Sequence, residues 1–147
     1  YGGTGGNAAC TAIAAASSAG VVFVAAAGNS NADVRSFYPA NCPTVIAVGS
    51  TTSTNARSSF SNWGDGIDVY APGSSIVSCG ISSDTASSTL SGTSMASPHV
   101  CGVAALIVGD NPSWGVEEVR KELIDTATLN QISDPRGPNR LAFRGCP

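Results

Sequence analysis

The sequence predicts an α/β domain, a parallel sheet flanked by helices. Two observations carry this. Three short apolar runs, "VVFVAAAG", "TVIAVGS" and "DVYAPG", are continuous rather than alternating, as strands buried on both faces of a parallel sheet are. Between and around them lie longer stretches with helical composition and helical end signals.

"NAACTAIAAASSAG" is rich in Ala, has no internal Gly or Pro, and stops at Gly20, which predicts a helix closed by a C-terminal glycine. The run that follows at once, Val21 to Gly28, is the first strand. Thr44–Ser50 and Asp68–Gly73 are the second and third, each bounded by Gly, Pro, Ser or Asn. "MASPHVCGVAALIVG" reads as a buried helix starting near Ser94, with Pro98 tolerated in its first turn and Gly109 past its end. "NPSWGVEEVRKELIDTA" is a last helix, with Pro112 and Ser113 at its start, Glu117 and Glu118 early, and Val116, Val119, Leu123 and Ile124 at helical spacing. The tail reads as coil with short extended pieces. No repeat or linker divides the chain.

Composition narrows the function. A chain of 147 residues with 42% hydrophobic and 12% charged residues suits one domain with a real core. A net charge of −3, with only seven Lys and Arg, speaks against a nucleic-acid partner. The apolar runs fall far short of the roughly 20 residues that span a bilayer, so no membrane partner is expected. The opening "YGGTGG" reads as the middle of a longer protein and not as a translated start.

Five cysteines, Cys10, Cys42, Cys79, Cys101 and Cys146, suggest disulfides and an oxidising, extracellular compartment. None has the C-x-x-C or C-x-x-H spacing of a zinc site. Their number is odd, so at least one is unpaired within the chain. Cys101 is expected as a buried thiol in the apolar helix.

The stretch "LSGTSMASPHV" (Leu90–Val100) holds the candidate chemistry. A serine at the mouth of a helix, entered through Gly92, has backbone N–H groups aimed at any negative charge that forms beside its Oγ. That arrangement is also that of an ordinary N-cap. His99, the only histidine in the chain, cannot be the base for Ser94. Five residues along one helix turn it roughly 140° away and lift it about 7 Å. His99 is therefore read as structural.

Three motifs, in order, carry a family resemblance. "SGTSMASPHVCGVAALI" resembles the nucleophile signature of the subtilisin-like serine proteases. "VAAAGN" (Val24–Asn29) is similar to their oxyanion-asparagine segment, and "RSSFSNWGDGIDVYAPG" (Arg57–Gly73) to the stretch between. The proteinase K and aqualysin-like branch is the most similar, with "GPNRL" (Gly137–Leu141) in agreement. Ser97 stands where many relatives have Thr, and Cys101 where a small Ala is usual.

The resemblance, which covers nearly the whole chain, implies a subtilisin-like fold of which this is the C-terminal half. It implies a secreted serine endopeptidase working through an acyl-enzyme. Ser94 matches the nucleophile and Asn29 the residue whose amide completes the oxyanion hole. The Asp and His of the triad belong to an N-terminal half before Tyr1, a separate chain and hence a partner.

The family's substrate walls map onto Tyr1, Gly2 and Gly3 on one side and Ala26, Ala27 and Gly28 on the other. These small, uncharged walls imply peptide substrates with large apolar or aromatic P1 residues. A propeptide or protein inhibitor is a further implied partner. Calcium is implied at the carbonyls of Pro43 and Val45 and the carboxylate of Asp68, a fitting oxygen set. Asp33, Asp65 and Asp84 are left as surface groups. The competing reading is an inactive fragment with a binding role only.

Overall fold

The computed structural model describes residues 7–145. Helix α1 (Asn7–Ser18) leads into β1 (Phe23–Ala26), β2 (Val45–Thr51), β3 (Val69–Pro72), β4 (Ile76–Cys79) and β5 (Ser87–Leu90). Helices α2 (Thr93–Asp110) and α3 (Val116–Asp125) and strands β6 (Thr128–Leu129) and β7 (Arg140–Leu141) complete it. The main sheet has the order β1-β2-β3-β7-β6. Its first four members are parallel and β6 is antiparallel to β7. β4 and β5 form a separate antiparallel hairpin that the sequence reading did not anticipate.

The continuous apolar runs are explained by the two cores they serve. Ile46 and Val48 on β2, with Val69 and Ala71 on β3, pack against Ala96, Val100, Ala104 and Ile107 of α2 and Val119 and Leu123 of α3. Ala47 and Tyr70 face the other way, toward Val34, Ala40, Ile67 and Ile132. Alternate residues thus enter opposite layers, and every residue of β2 is buried. Gly49 lies beside Tyr70, whose ring would come within 2.2 Å of any Cβ there.

Several local expectations need correction. β1 is the sheet's edge strand and only half-buried, because the described residues pair it on one side. Helix α2 begins at Thr93 and runs through Gly109 to Asp110, which puts Pro98 in its second turn. The cost is one backbone bond, since a proline has no N–H to give to the Ser94 carbonyl. Helix α3 begins at Val116, four residues after Pro112, where the Glu118 carboxylate accepts the Gly115 N–H at 3.0 Å.

α2 is apolar nearly all round, yet only one side packs on the sheet. Leu106 and Val108 are exposed on it, and Cys101 is exposed rather than buried. Cys10 and Cys42 form a disulfide that ties α1 to the loop before β2. Cys79 is free and exposed, and Cys146 lies outside the described residues.

Candidate active site

Two elements distant in sequence meet at the carboxyl end of β1. There the chain leaves the sheet through Gly28, at φ +103°, a conformation that favours glycine. Asn29 follows, exposed. Against it lies the start of α2, where Gly92 is the N-cap, Thr93 the first helical residue and Ser94 the second.

Thr93 joins the two. Its N–H and its hydroxyl both donate to Asn29 Oδ1, each at 2.9 Å, and its Oγ1 accepts the Gly28 N–H at 3.1 Å. With the Asn29 oxygen engaged, its Nδ2 is turned toward Gly92, 3.5 Å from where a Cβ on that glycine would lie. A side-chain N–H donor and the open end of a helix therefore share one spot beside Ser94, whose side chain is exposed.

A cavity of about 340 Å³ opens at that spot, lined by residues 26–30, 37–39, 93 and 94. It brings together Ser94, Asn29, Ala26, Ala27 and Gly28. Tyr1, Gly2 and Gly3 lie outside the described residues. The sequence reading missed Phe37, Tyr38 and Pro39, which close the cavity; the only signal was an aromatic pair in a polar loop. A second hollow of about 340 Å³, between the β4 residues Ile76–Ser78 and the first turns of α2, reaches Ser94 from the other side.

His99 is exposed on α2, and its Nδ1 is 2.8 Å from the Met95 carbonyl one turn back. That contact is local to its own helix, and among the described residues no hydrogen bond joins His99 to Ser94. The expectation that it is not the base agrees with this position, whereas its expected burial does not.

Pro43, Val45 and Asp68 lie together at the opposite end of the sheet. The Pro43 carbonyl and Asp68 Oδ1 both face one cationic group, the guanidinium of Arg120 on α3. Arg120 donates to Pro43 O at 2.8 Å and to Asp68 Oδ1 at 2.8 and 2.9 Å. Asp68 Oδ2 accepts the Ala47 N–H at 2.8 Å. The oxygen chemistry suits calcium, but the position is shared with Arg120, which the sequence reading did not single out. Among the described residues no group of three or more His, Cys, Asp or Glu could hold a metal ion. Asp33 is half-buried and more than a surface group. The Arg35 side chain, hydrogen-bonded to it, holds its carboxyl below the usual range.

Comparison with known proteins is decisive at this point: the Subtilase family profile matches residues 2–143. The chain belongs to the Subtilase family. This subtilase chain is 48% identical over 134 residues to the alkaline serine exoprotease A of Vibrio alginolyticus, covering 90% of the chain and 25% of the relative. It is 44% identical over 144 residues to the extracellular serine proteinase of Thermus sp. (strain Rt41A), covering 97% and 35%. The crystal structure of a cold adapted subtilisin-like serine proteinase superposes with a TM-score of 0.90 at 43% identity, covering 99% of this chain and 54% of that one. The fold is thus subtilisin-like, and the chain spans about a quarter to a third of those curated relatives and about half of the solved structure. No helix among the described residues is long and apolar enough to cross a membrane.

Proposed function

We propose that this chain supplies the nucleophile and oxyanion hole of a secreted serine endopeptidase, the Asp and His coming from an N-terminal half carried on a separate chain. The single observation that supports it most is the Thr93 clamp on Asn29 Oδ1, which leaves the Asn29 amide facing the mouth of α2 beside Ser94. Secretion is supported by the disulfide and by relatives named as extracellular.

In this reading Ser94 Oγ attacks the scissile carbonyl carbon as its proton passes to the histidine of the other half. The carbonyl oxygen, now negative, is held by Asn29 Nδ2–H and the Ser94 N–H. Collapse expels the amine, which takes the proton back from that histidine. Water then cleaves the Ser94 ester and frees the serine. The P1 side chain enters the cavity at residues 26–28, and the aromatic rings of Phe37 and Tyr38 favour large apolar or aromatic groups there. Tyr1–Gly3 would form the facing wall and pair with the peptide backbone, whether of substrate, propeptide or protein inhibitor. Calcium at Pro43, Val45 and Asp68 would tie the Pro43 loop to β3, in competition with Arg120. It has no part in the chemistry.

The test is to treat the protein as isolated from its source with a serine-directed phosphonate, map the adduct, and weigh the preparation for a second polypeptide. Expected are an adduct on Ser94 and a companion chain containing an Asp and a His. Folded protein with neither would leave the binding-only reading.

A further inference from the structure

We propose that Asn62 is the positioning residue of the oxyanion hole, holding the main chain on both sides of Asn29 as Thr93 holds its side chain. This rests on the reading of Asn29 given above.

Asn62 is fully buried and spends its whole carboxamide on one loop. Its Oδ1 accepts the N–H groups of Ser30 at 2.9 Å and Ala32 at 3.1 Å, and its Nδ2 donates to the Ala27 carbonyl at 2.8 Å. Its own N–H donates to the Gly28 carbonyl at 2.9 Å. Residues 27, 28, 30 and 32 are therefore all tied to Asn62, so Asn29 is flanked on both sides by residues it holds.

The approach is close. A Cβ on Gly28 would lie 2.4 Å from Asn62 Nδ2, so the loop rests directly on that amide. The exit of the loop is secured by the next residue, since Trp63 N donates to the Ala32 carbonyl at 3.0 Å and Trp63 Nε1 to the Asn31 carbonyl at 3.0 Å.

Only a carboxamide of this length satisfies the site. It must accept two N–H groups with one atom and donate to a carbonyl with the other. Aspartate would bring a second acceptor against the Ala27 carbonyl, and serine would not span the gap. The same loop walls the cavity at residues 26–28, so Asn62 also fixes the shape of the P1 site.

The test is a double-substitution cycle in the complete two-chain protease, with N62D and N62S each made alone and together with N29A. Rates are normalised to protein shown folded by circular dichroism. Misplacing an oxyanion donor costs a part of what deleting it costs, about 10²–10³ in kcat. In the Asn29 background each Asn62 variant is expected to lose at least about tenfold in kcat, and in the N29A background less than about threefold. Equal losses in both backgrounds, or none in either, overturn the proposal.

If neither variant folds, amide exchange in the unaltered protein decides. The Ser30 and Ala32 amides should exchange as slowly as those of β2, and exchange at the rate of exposed loops overturns it. Failure of the functional reading itself is distinguishable, because the unaltered protein would then show no phosphonate adduct on Ser94.

Discussion

Asn29 Oδ1 receives two hydrogen bonds from Thr93, one from the backbone and one from the hydroxyl, each 2.9 Å long. A carboxamide held by its oxygen cannot flip, so its N–H pair keeps a fixed direction. In the complete protease N29A should lower kcat by about 10²–10³ with little change in KM, a magnitude taken over from subtilisin itself. Loss of stability with kcat per folded molecule unchanged would make Asn29 a mere turn residue. T93V, which removes the hydroxyl but keeps the N–H, should cost about tenfold in the same assay.

His99 offers the opposite outcome. Because among the described residues it is exposed and bonded within its own helix, H99Q should change the stability of this chain by no more than about 0.5 kcal/mol, below the roughly 1–3 kcal/mol that follows from losing a buried partner. Phosphonate labelling of Ser94 should proceed at close to the unaltered rate. Labelling that collapses by several orders of magnitude in folded H99Q would make His99 the base after all. S94A is the matched control, abolishing the adduct while leaving the melting temperature nearly unchanged.

Arg120 and calcium are expected to exclude one another at Pro43 and Asp68. R120A leaves the buried Asp68 carboxylate without its ion pair and should destabilise the fold by about 2–3 kcal/mol, less than for a fully buried pair because Arg120 is 26% exposed. Calcium should then bind at least tenfold more tightly to R120A than to the unaltered protein, by titration calorimetry, and should recover part of the lost melting temperature. Equal calcium affinity in both proteins would separate the metal from this corner.

Tyr70 sets an alkaline limit. Its burial pushes the phenol up to about 12, the negative charge of Asp134 adding to this and Arg57 opposing it. The hydroxyl donates to the Pro135 carbonyl at 2.5 Å. The folded state thus holds a proton that the unfolded chain releases near pH 10. This contribution is complete below about pH 10 and is lost as the pH rises toward 12. Melting temperatures measured from pH 9 to 12 should fall in that window, and Y70F should flatten the fall. An unchanged slope in Y70F would assign it to other groups.

The three parallel strands were legible in the sequence because each is an apolar run closed by turn residues, and the helix mouth after Gly92 was legible too, whereas Ser94 and Asn29 were singled out as site residues by the family resemblance. The hairpin of β4 and β5 was not. Its strands are largely exposed and rich in serine, so no apolar alternation marks them. Thr93 was hidden by its neighbour, since a hydroxyl beside a candidate nucleophile reads as a cap. Asn62 and Arg120 act across 30 and more residues, on partners that only the folded chain brings near. The burial expected of Cys101 and His99 failed because apolar composition all round a helix does not say which side the described residues cover.

Thr93 and Asn29 are 64 residues apart, and nothing local draws them together. They meet only once β1 has paired with β2 and α2 has seated Ala96, Val100 and Ala104 on that sheet. Any reaction built on the pair is therefore gated by completion of the fold. On the proposed reading, a nascent or half-collapsed chain would carry Ser94 without the Thr93–Asn29 pair beside it. With the histidine on a second chain, recovery of phosphonate reactivity would report closure of this core together with docking of the half that carries the histidine.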